Sequence, residues 1–232
     1  MGVIRWVLSA SLVLCPLYPI SPAVSPVLEE TSIANEYYSI LNLTEIQYKA
    51  FAFALNGFAK IQEFSPALND TILTIIDYSL PSDKERLFVV DLKNKKILYK
   101  SLVAHGTETG ALYARYFSNR LQSHQSSLGF FITGNTYYGK HGYSLRLSGI
   151  EKGINDNARK RAIVFHAASY VSTTFIEKHG RLGRSFGCPA LPVNMNEPII
   201  DIIKNKSCVF IFYPDETYLA QSVFLNSRTD TL

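Results

Sequence analysis

Gly183-Arg184-Ser185-Phe186-Gly187-Cys188-Pro189 is the stretch from which the rest of the chain is read. Glycines at 183 and 187 let the backbone turn sharply and come close to another group, since without a Cβ they reach positive φ cheaply. A cysteine directly behind such a glycine is presented at a turn. Two readings stand at this point. Cys188 is a small apolar core residue, the common fate of a lone cysteine, or it is a nucleophile. A nucleophilic thiol has to become a thiolate, and from an ordinary pKa of about 8.5 that takes a nearby base or positive charge. Arg181 and Arg184 lie close by, and His166 and His179 lie upstream.

Working outward from the turn, Ala162-Ile163-Val164-Phe165 is a short apolar strand that ends in His166. A histidine in that position has its ring direction fixed, either as a satisfied core residue or as an oriented base. Residues 167–182 read as a crossing segment, with Lys178-His179-Gly180 as an exposed loop. After the turn, Asn194 or Asn196 caps a helix with Pro198 in its first turn, and Ile199, Ile200, Ile202 and Ile203 form its apolar face. Ser207 to Tyr213 is a closing strand that buries Cys208.

Upstream, Ile72 to Ile76 and Leu87 to Leu92 read as strands, Lys93-Asn94-Lys95 as a turn, and Ile97 to Ala104 as the returning partner. Leu128 to Ile132 is a further strand. Tyr137, Tyr138, His141 and Tyr143 follow it and line a groove or lie on a half-exposed sheet. Nearer the start, Thr44 with Gln47 makes a capping box ahead of a helix whose apolar face is Phe51, Ala54, Leu55, Phe58 and Ile61. Gly57 weakens that helix and Pro66 ends it.

The 232 residues hold 23 basic and 19 acidic side chains, a net charge of +4 that is small and dispersed, so nucleic acid is excluded as a partner. Hydrophobic residues make up 47%, enough for one packed domain with a helical annex. Residues 1–23 read as an export signal: Arg5, the apolar run Trp6 to Leu17, then small residues at Ser21 and Ala23. Three prolines within it argue against a membrane span. A lipid-attachment reading at Cys15 is weakened by Leu14, where a small residue belongs. Removal of the signal leaves Cys188 and Cys208, either as a disulfide or as one reactive and one structural thiol. Their contexts favour the second. Cys188, Cys208, His166 and His179 lack the paired spacing of a zinc site.

A cysteine in a glycine turn and a histidine ending a strand are the minimum for thiol acyl transfer. Their order along the chain resembles the L,D-transpeptidase catalytic domain, the YkuD family of cell-wall enzymes. The resemblance is carried by Val89-Val90-Asp91-Leu92, Ser127-Leu128-Gly129-Phe130-Phe131-Ile132, Ile163-Val164-Phe165-His166, Ser185-Phe186-Gly187-Cys188, the helix near 196 to 204 and the strand Cys208 to Tyr213, all in the family's order. It covers residues 86 to 213 and is nearest a divergent branch in which the motif reads Ser-x-Gly-Cys-Pro-Ala.

The resemblance implies a mainly β, α+β fold: a barrel or sandwich over 71–215, preceded by a helical extension over 24–70 and followed by a tail over 216–232. It implies an exported enzyme of the periplasm or cell envelope, needing no cofactor and no metal, that acts on peptidoglycan stem peptides. Cys188 is the implied nucleophile and His166 its base, with Ser185 and Gly187 shaping the turn and oxyanion hole. Phe186 replaces the family's usual histidine, Pro189-Ala190 the segment that commonly holds an arginine or asparagine, and Ala167 a frequent glycine. With the usual donors absent, Arg184, Arg181, Arg159 or Arg161, together with Tyr138, are the candidate substrate contacts, an arginine being suited to a bidentate grip on a carboxylate. Transfer to an amine, hydrolysis by water, and a binding module without turnover remain the alternatives.

Overall fold

The structure is a computed structural model and describes residues 32–41 and 46–226. The export segment, Cys15 and Thr44 lie outside the described residues. Among those described, no helix is long and apolar enough to cross a membrane.

Among the described residues eight strands form one sheet: β1 Ile72–Asp77, β2 Leu87–Asp91, β3 Lys96–Ser101, β4 Gly129–Gly139, β5 Gly142–Gly149, β6 Val164–Ala167, β7 Ala190–Leu191 and β8 Cys208–Phe212. Their order is β3-β2-β1-β8-β4-β5-β6-β7. β1 pairs parallel with β8, and β6 pairs parallel with β7. All other neighbours are antiparallel. The chain beyond β3 bridges the far edge through Ala104↔Ala190, so the two edges meet and the sheet is nearly a closed barrel. Every residue of β1, β2 and β8 is buried, as continuous apolar runs at the centre of a covered sheet require.

Two helices cover the sheet. α2, Tyr48–Phe64, follows the short α1, Ser32–Ile40, and packs on β1 and β8. Gly57 has a packing reason: a Cβ there would lie 2.1 Å from Cζ of Phe130, which stacks on Phe210 at 4.3 Å between ring centres. The later helix, α4 Val193–Ile203, lies against β1, β5 and β6 with Ile199, Ile200 and Ile203 buried.

Several boundaries differ from the sequence reading, each for a local reason. Gln47 is itself the N-cap of α2, and its N–H donates to Asp77 Oδ2 at 3.3 Å, so a carboxylate from β1 satisfies the helix end. Neither asparagine caps α4. Pro192 does, Pro198 lies mid-helix, and Asn196 is buried with its amide on Tyr143 O at 2.8 Å. β4 runs on through the tyrosine segment and pairs with β5, a strand absent from the sequence reading. The crossing segment holds α3, Thr173–His179, capped by Ser172 and ended by Gly180 at φ 68, so His179 is an exposed helix end. The tail contains α5, Glu216–Gln221, capped by Asp215 and fastened where Tyr218 and Ser222 donate to the buried Glu151.

Candidate active site

β6 and β7 bring the histidine and the cysteine turn together. Their register places His166 opposite Ala190, two residues beyond Cys188. His166 Nδ1 lies 2.9 Å from Ala167 O. A carbonyl only accepts, so Nδ1 carries the proton and Nε2 keeps its lone pair. The ring is buried, and burial holds its pKa below the usual value, so the imidazole is neutral at neutral pH. His141, in the turn between β4 and β5, packs on it at 4.5 Å between ring centres.

The cysteine turn is clamped from two sides. Ser185 Oγ donates to Cys188 O at 2.6 Å and accepts from Gly187 N at 3.1 Å. Ser126 Oγ donates to Gly187 O at 3.1 Å and accepts from Gly106 N at 3.1 Å. Gly187 has φ 117, and a Cβ there would stand 2.7 Å from Gln125 O, so both conformation and space require glycine. Ser185 also pairs with the segment after β3, donating to His105 O at 2.9 Å and accepting from Thr107 N at 2.8 Å.

Beneath that segment lies a buried polar knot. Arg86 donates from Nη2 to His105 Nδ1 at 2.8 Å, from Nε and Nη2 to Val103 O, and from Nη1 to Leu80 O. Its guanidinium also lies 4.7 Å from the centre of the Tyr78 ring. Because arginine only donates, His105 Nδ1 accepts and its Nε2–H faces Gly110 O at 3.2 Å. Burial, with Arg86 beside it, pushes the His105 pKa down to about 3, so this ring is a neutral structural link.

Among the described residues the cysteines are Cys188 and Cys208, and both are free. Cys208 is fully buried in β8, and burial pushes its thiol far above the ordinary value. Cys188 is half-buried, and its Sγ lies 3.6 Å from Ala162 O, to which the thiol donates weakly. Burial raises its pKa, while the Val164 N–H and the Arg161 charge act in the opposite direction.

A family model described as L,D-transpeptidase catalytic domain matches residues 42–212, well over half of the chain. The chain belongs to that family. No curated protein matches it. Among solved structures it is similar to an L,D-transpeptidase from Mycobacterium smegmatis, at 11% identity and TM-score 0.39 over 62% of this chain and 59% of that one. It is also similar to the helical cell shape determining protein of Campylobacter jejuni, at 15% identity and TM-score 0.40 over 65% of this chain and 52% of that one. A third is an L,D-transpeptidase from Stackebrandtia nassauensis, at 13% identity and TM-score 0.36 over 78% and 76%. The chain thus spans between half and three fifths of the length of the first two.

In this L,D-transpeptidase domain the arginines singled out from the sequence are dispersed. Arg184 turns inward, donating from Nη1 to Thr107 O and Gly110 O at 3.2 and 3.0 Å. Arg181 Nη1 donates to Leu182 O at 2.7 Å. Arg159 lies beside Gly134 on β4. Tyr138 is 79% exposed near the end of β4 and packs on Tyr143, in the hairpin whose turn carries His141 to His166. Phe186 is 72% exposed and stacks on His124 at 4.4 Å, extending an aromatic surface beside the turn. Two neighbours of the site were not assigned to the cysteine by sequence reasoning, which named Arg161 only as a contact for substrate and did not name Tyr170. Tyr170, held near 12 by burial and the neighbouring Cys188, packs on Gly183. Arg161 backs Gly187, its Nη2 lying 3.1 Å from where a Cβ would be. Arg161 stands among the basic residues just before β6, and only the closed sheet shows which of them faces the turn.

Proposed function

We propose that the protein is an exported L,D-transpeptidase that acts on peptidoglycan stem peptides through an acyl-enzyme on Cys188. The observation that carries the reading is the His166 tautomer: with Nδ1–H donated to Ala167 O, the lone pair of Nε2 is the basic position next to the cysteine turn. In the reaction, His166 takes the thiol proton and the thiolate attacks the carbonyl carbon that precedes the terminal D-residue. The tetrahedral oxyanion is held by backbone N–H groups at the turn. Collapse breaks the C–N bond, His166 returns its proton to the leaving amine, and a thioester remains on Cys188. An amine from a second stem then attacks the thioester, gives its proton to His166 and frees the thiolate.

The exposed rings of Tyr138, on the hairpin that carries His141 to His166, and of Phe186, in the cysteine turn, offer stacking positions for that acceptor, which favours transfer over trimming. Incubation of mature protein with tetrapeptide-bearing muropeptides, read by mass, tests this. A dimer formed with loss of the terminal D-residue is expected. Tripeptide alone would make the enzyme a carboxypeptidase, and unchanged substrate with no Cys188 adduct would make it a binding module.

A further inference from the structure

Arg161 is a half-buried cation that forms no ion pair with a carboxylate among the described residues. Its hydrogen bonds all go to neutral oxygens. Nη1 donates to Ser118 O and Ser127 Oγ, each at 2.6 Å, and Nη2 donates to Ser123 Oγ at 3.1 Å and to Gln125 O. Withdrawing a cation from water without an anion is costly, so a group held in this way retains most of its field for whatever faces it. What faces it is the cysteine turn. Nη2 lies 3.1 Å from the Cβ position of Gly187. The next residue, Ala162, is held at φ 54 and aims its carbonyl at Cys188 Sγ, 3.6 Å away. The pair Arg161-Ala162 therefore touches the cysteine turn twice: through a carbonyl that accepts a hydrogen bond from the thiol at rest, and through a charge that favours the thiolate once the proton has gone.

We propose that Arg161 is a positioning residue for the Cys188 thiolate: the Ser118 to Ser127 segment fixes its guanidinium behind Gly187, where it supplies the positive charge that the deprotonated sulfur needs. The proposal rests on the reading of Cys188 as the nucleophile. The other groups facing the sulfur carry no positive charge at rest. Val164 offers one N–H from β6, His166 lies further along β6 and is neutral at rest, and Tyr170 and Tyr78 are neutral hydroxyls that burial holds near 12. A thiolate left with those neighbours alone would have no fixed counter-charge, only the imidazolium that His166 becomes on taking the proton and loses again when it protonates the leaving amine.

The test is the pH dependence of iodoacetamide labelling at Cys188 in the mature protein, followed by peptide mass so that Cys208 is not counted, for wild type, Arg161→Gln and Arg161→Lys. Arg161→Gln is expected to move the labelling midpoint up by about one pH unit or more, the size of shift that a charge a few ångströms away produces. Arg161→Lys keeps the charge and gives up the fork of hydrogen bonds, so its midpoint is expected within a few tenths of wild type. An unchanged midpoint in Arg161→Gln, or equal shifts in both variants, overturns the proposal and leaves Arg161 a structural clip. If Arg161→Gln does not fold, Arg161→Lys decides alone, and a rise of about one unit there overturns the proposal. Full activity in Cys188→Ala would instead overturn the nucleophile reading, an outcome separate from any labelling midpoint.

Discussion

Ser126 Oγ donates to the carbonyl of Gly187 at 3.1 Å, joining two residues 61 positions apart and fixing the peptide that immediately precedes Cys188. The same hydroxyl accepts from Gly106 N at 3.1 Å, so one buried side chain holds the cysteine turn against the segment that follows β3. Ser126→Ala leaves a buried N–H and a buried carbonyl without their partner, which costs about 1–3 kcal/mol. Loosening the nucleophile by a fraction of an ångström is expected to lower kcat by about 10-fold to 100-fold. Urea unfolding together with steady-state rates checks both. A variant that loses stability but keeps full kcat would show that the clamp does not position Cys188.

His166→Gln is expected to reduce activity by about 10²-fold to 10⁴-fold, the usual contribution of a general base. His179→Gln, at the exposed end of α3, is expected to leave it unchanged. Because burial lowers the His166 pKa below its ordinary 6.5, the acid limb of the wild-type pH profile should lie below that value. The reverse ranking of the two variants, or an acid limb above 6.5, would contradict the assignment.

Cys208 is expected to resist alkylation in the folded protein while Cys188 reacts, since one thiol is sealed in β8 and the other is half-exposed at a turn. Intact mass without reductant should show one rapid modification, and a second after unfolding. Cys208→Ser places a hydroxyl in an apolar core and is expected to cost about 1–3 kcal/mol with little change in kcat. Preferential labelling of Cys208 would reverse the roles.

His105 should make the fold sensitive to acid. Its folded pKa near 3 lies below the ordinary 6.5, so between those values the unfolded chain binds the extra proton and stability falls as pH falls. The full effect is on the order of 5 kcal/mol as an upper bound. Glu151 and Asp77, whose carboxyls burial holds above their usual range, act with the opposite sign. The informative quantity is therefore the difference between wild type and His105→Gln, measured by urea unfolding from pH 7 down to pH 4. Curves that stay parallel over that range would contradict the buried neutral ring.

Much of this was legible in the chain because its signals are local. The apolar runs at 72–76 and 208–212 are buried on both faces and read as strands without ambiguity. Cys188 in its glycine turn and His166 at a strand end were visible for the same reason. What escaped depends on closure of the sheet. Gln47 caps α2 only because Asp77 reaches its N–H from β1. β5 was hidden by its glycines and polar residues, although Leu145 and Leu147 alternate as a one-sided strand should. Among the arginines, the sequence offered Arg184, Arg181, Arg159 and Arg161 with nothing to separate their positions in the fold. Yet Arg184 turns to the carbonyls of Thr107 and Gly110, and Arg161, further away in sequence, is the one behind Gly187.

The most direct test of the central claim is to trap the acyl-enzyme. Mature wild-type protein and Cys188→Ala are mixed with a tetrapeptide stem lacking an acceptor amine, quenched in acid at short times and read by intact and peptide mass. A thioester adduct of the stem minus its terminal D-residue, mapped to Cys188 and absent from Cys188→Ala, is the predicted result. Release of that D-residue by Cys188→Ala at the wild-type rate, or an adduct mapped to any other residue, would contradict it.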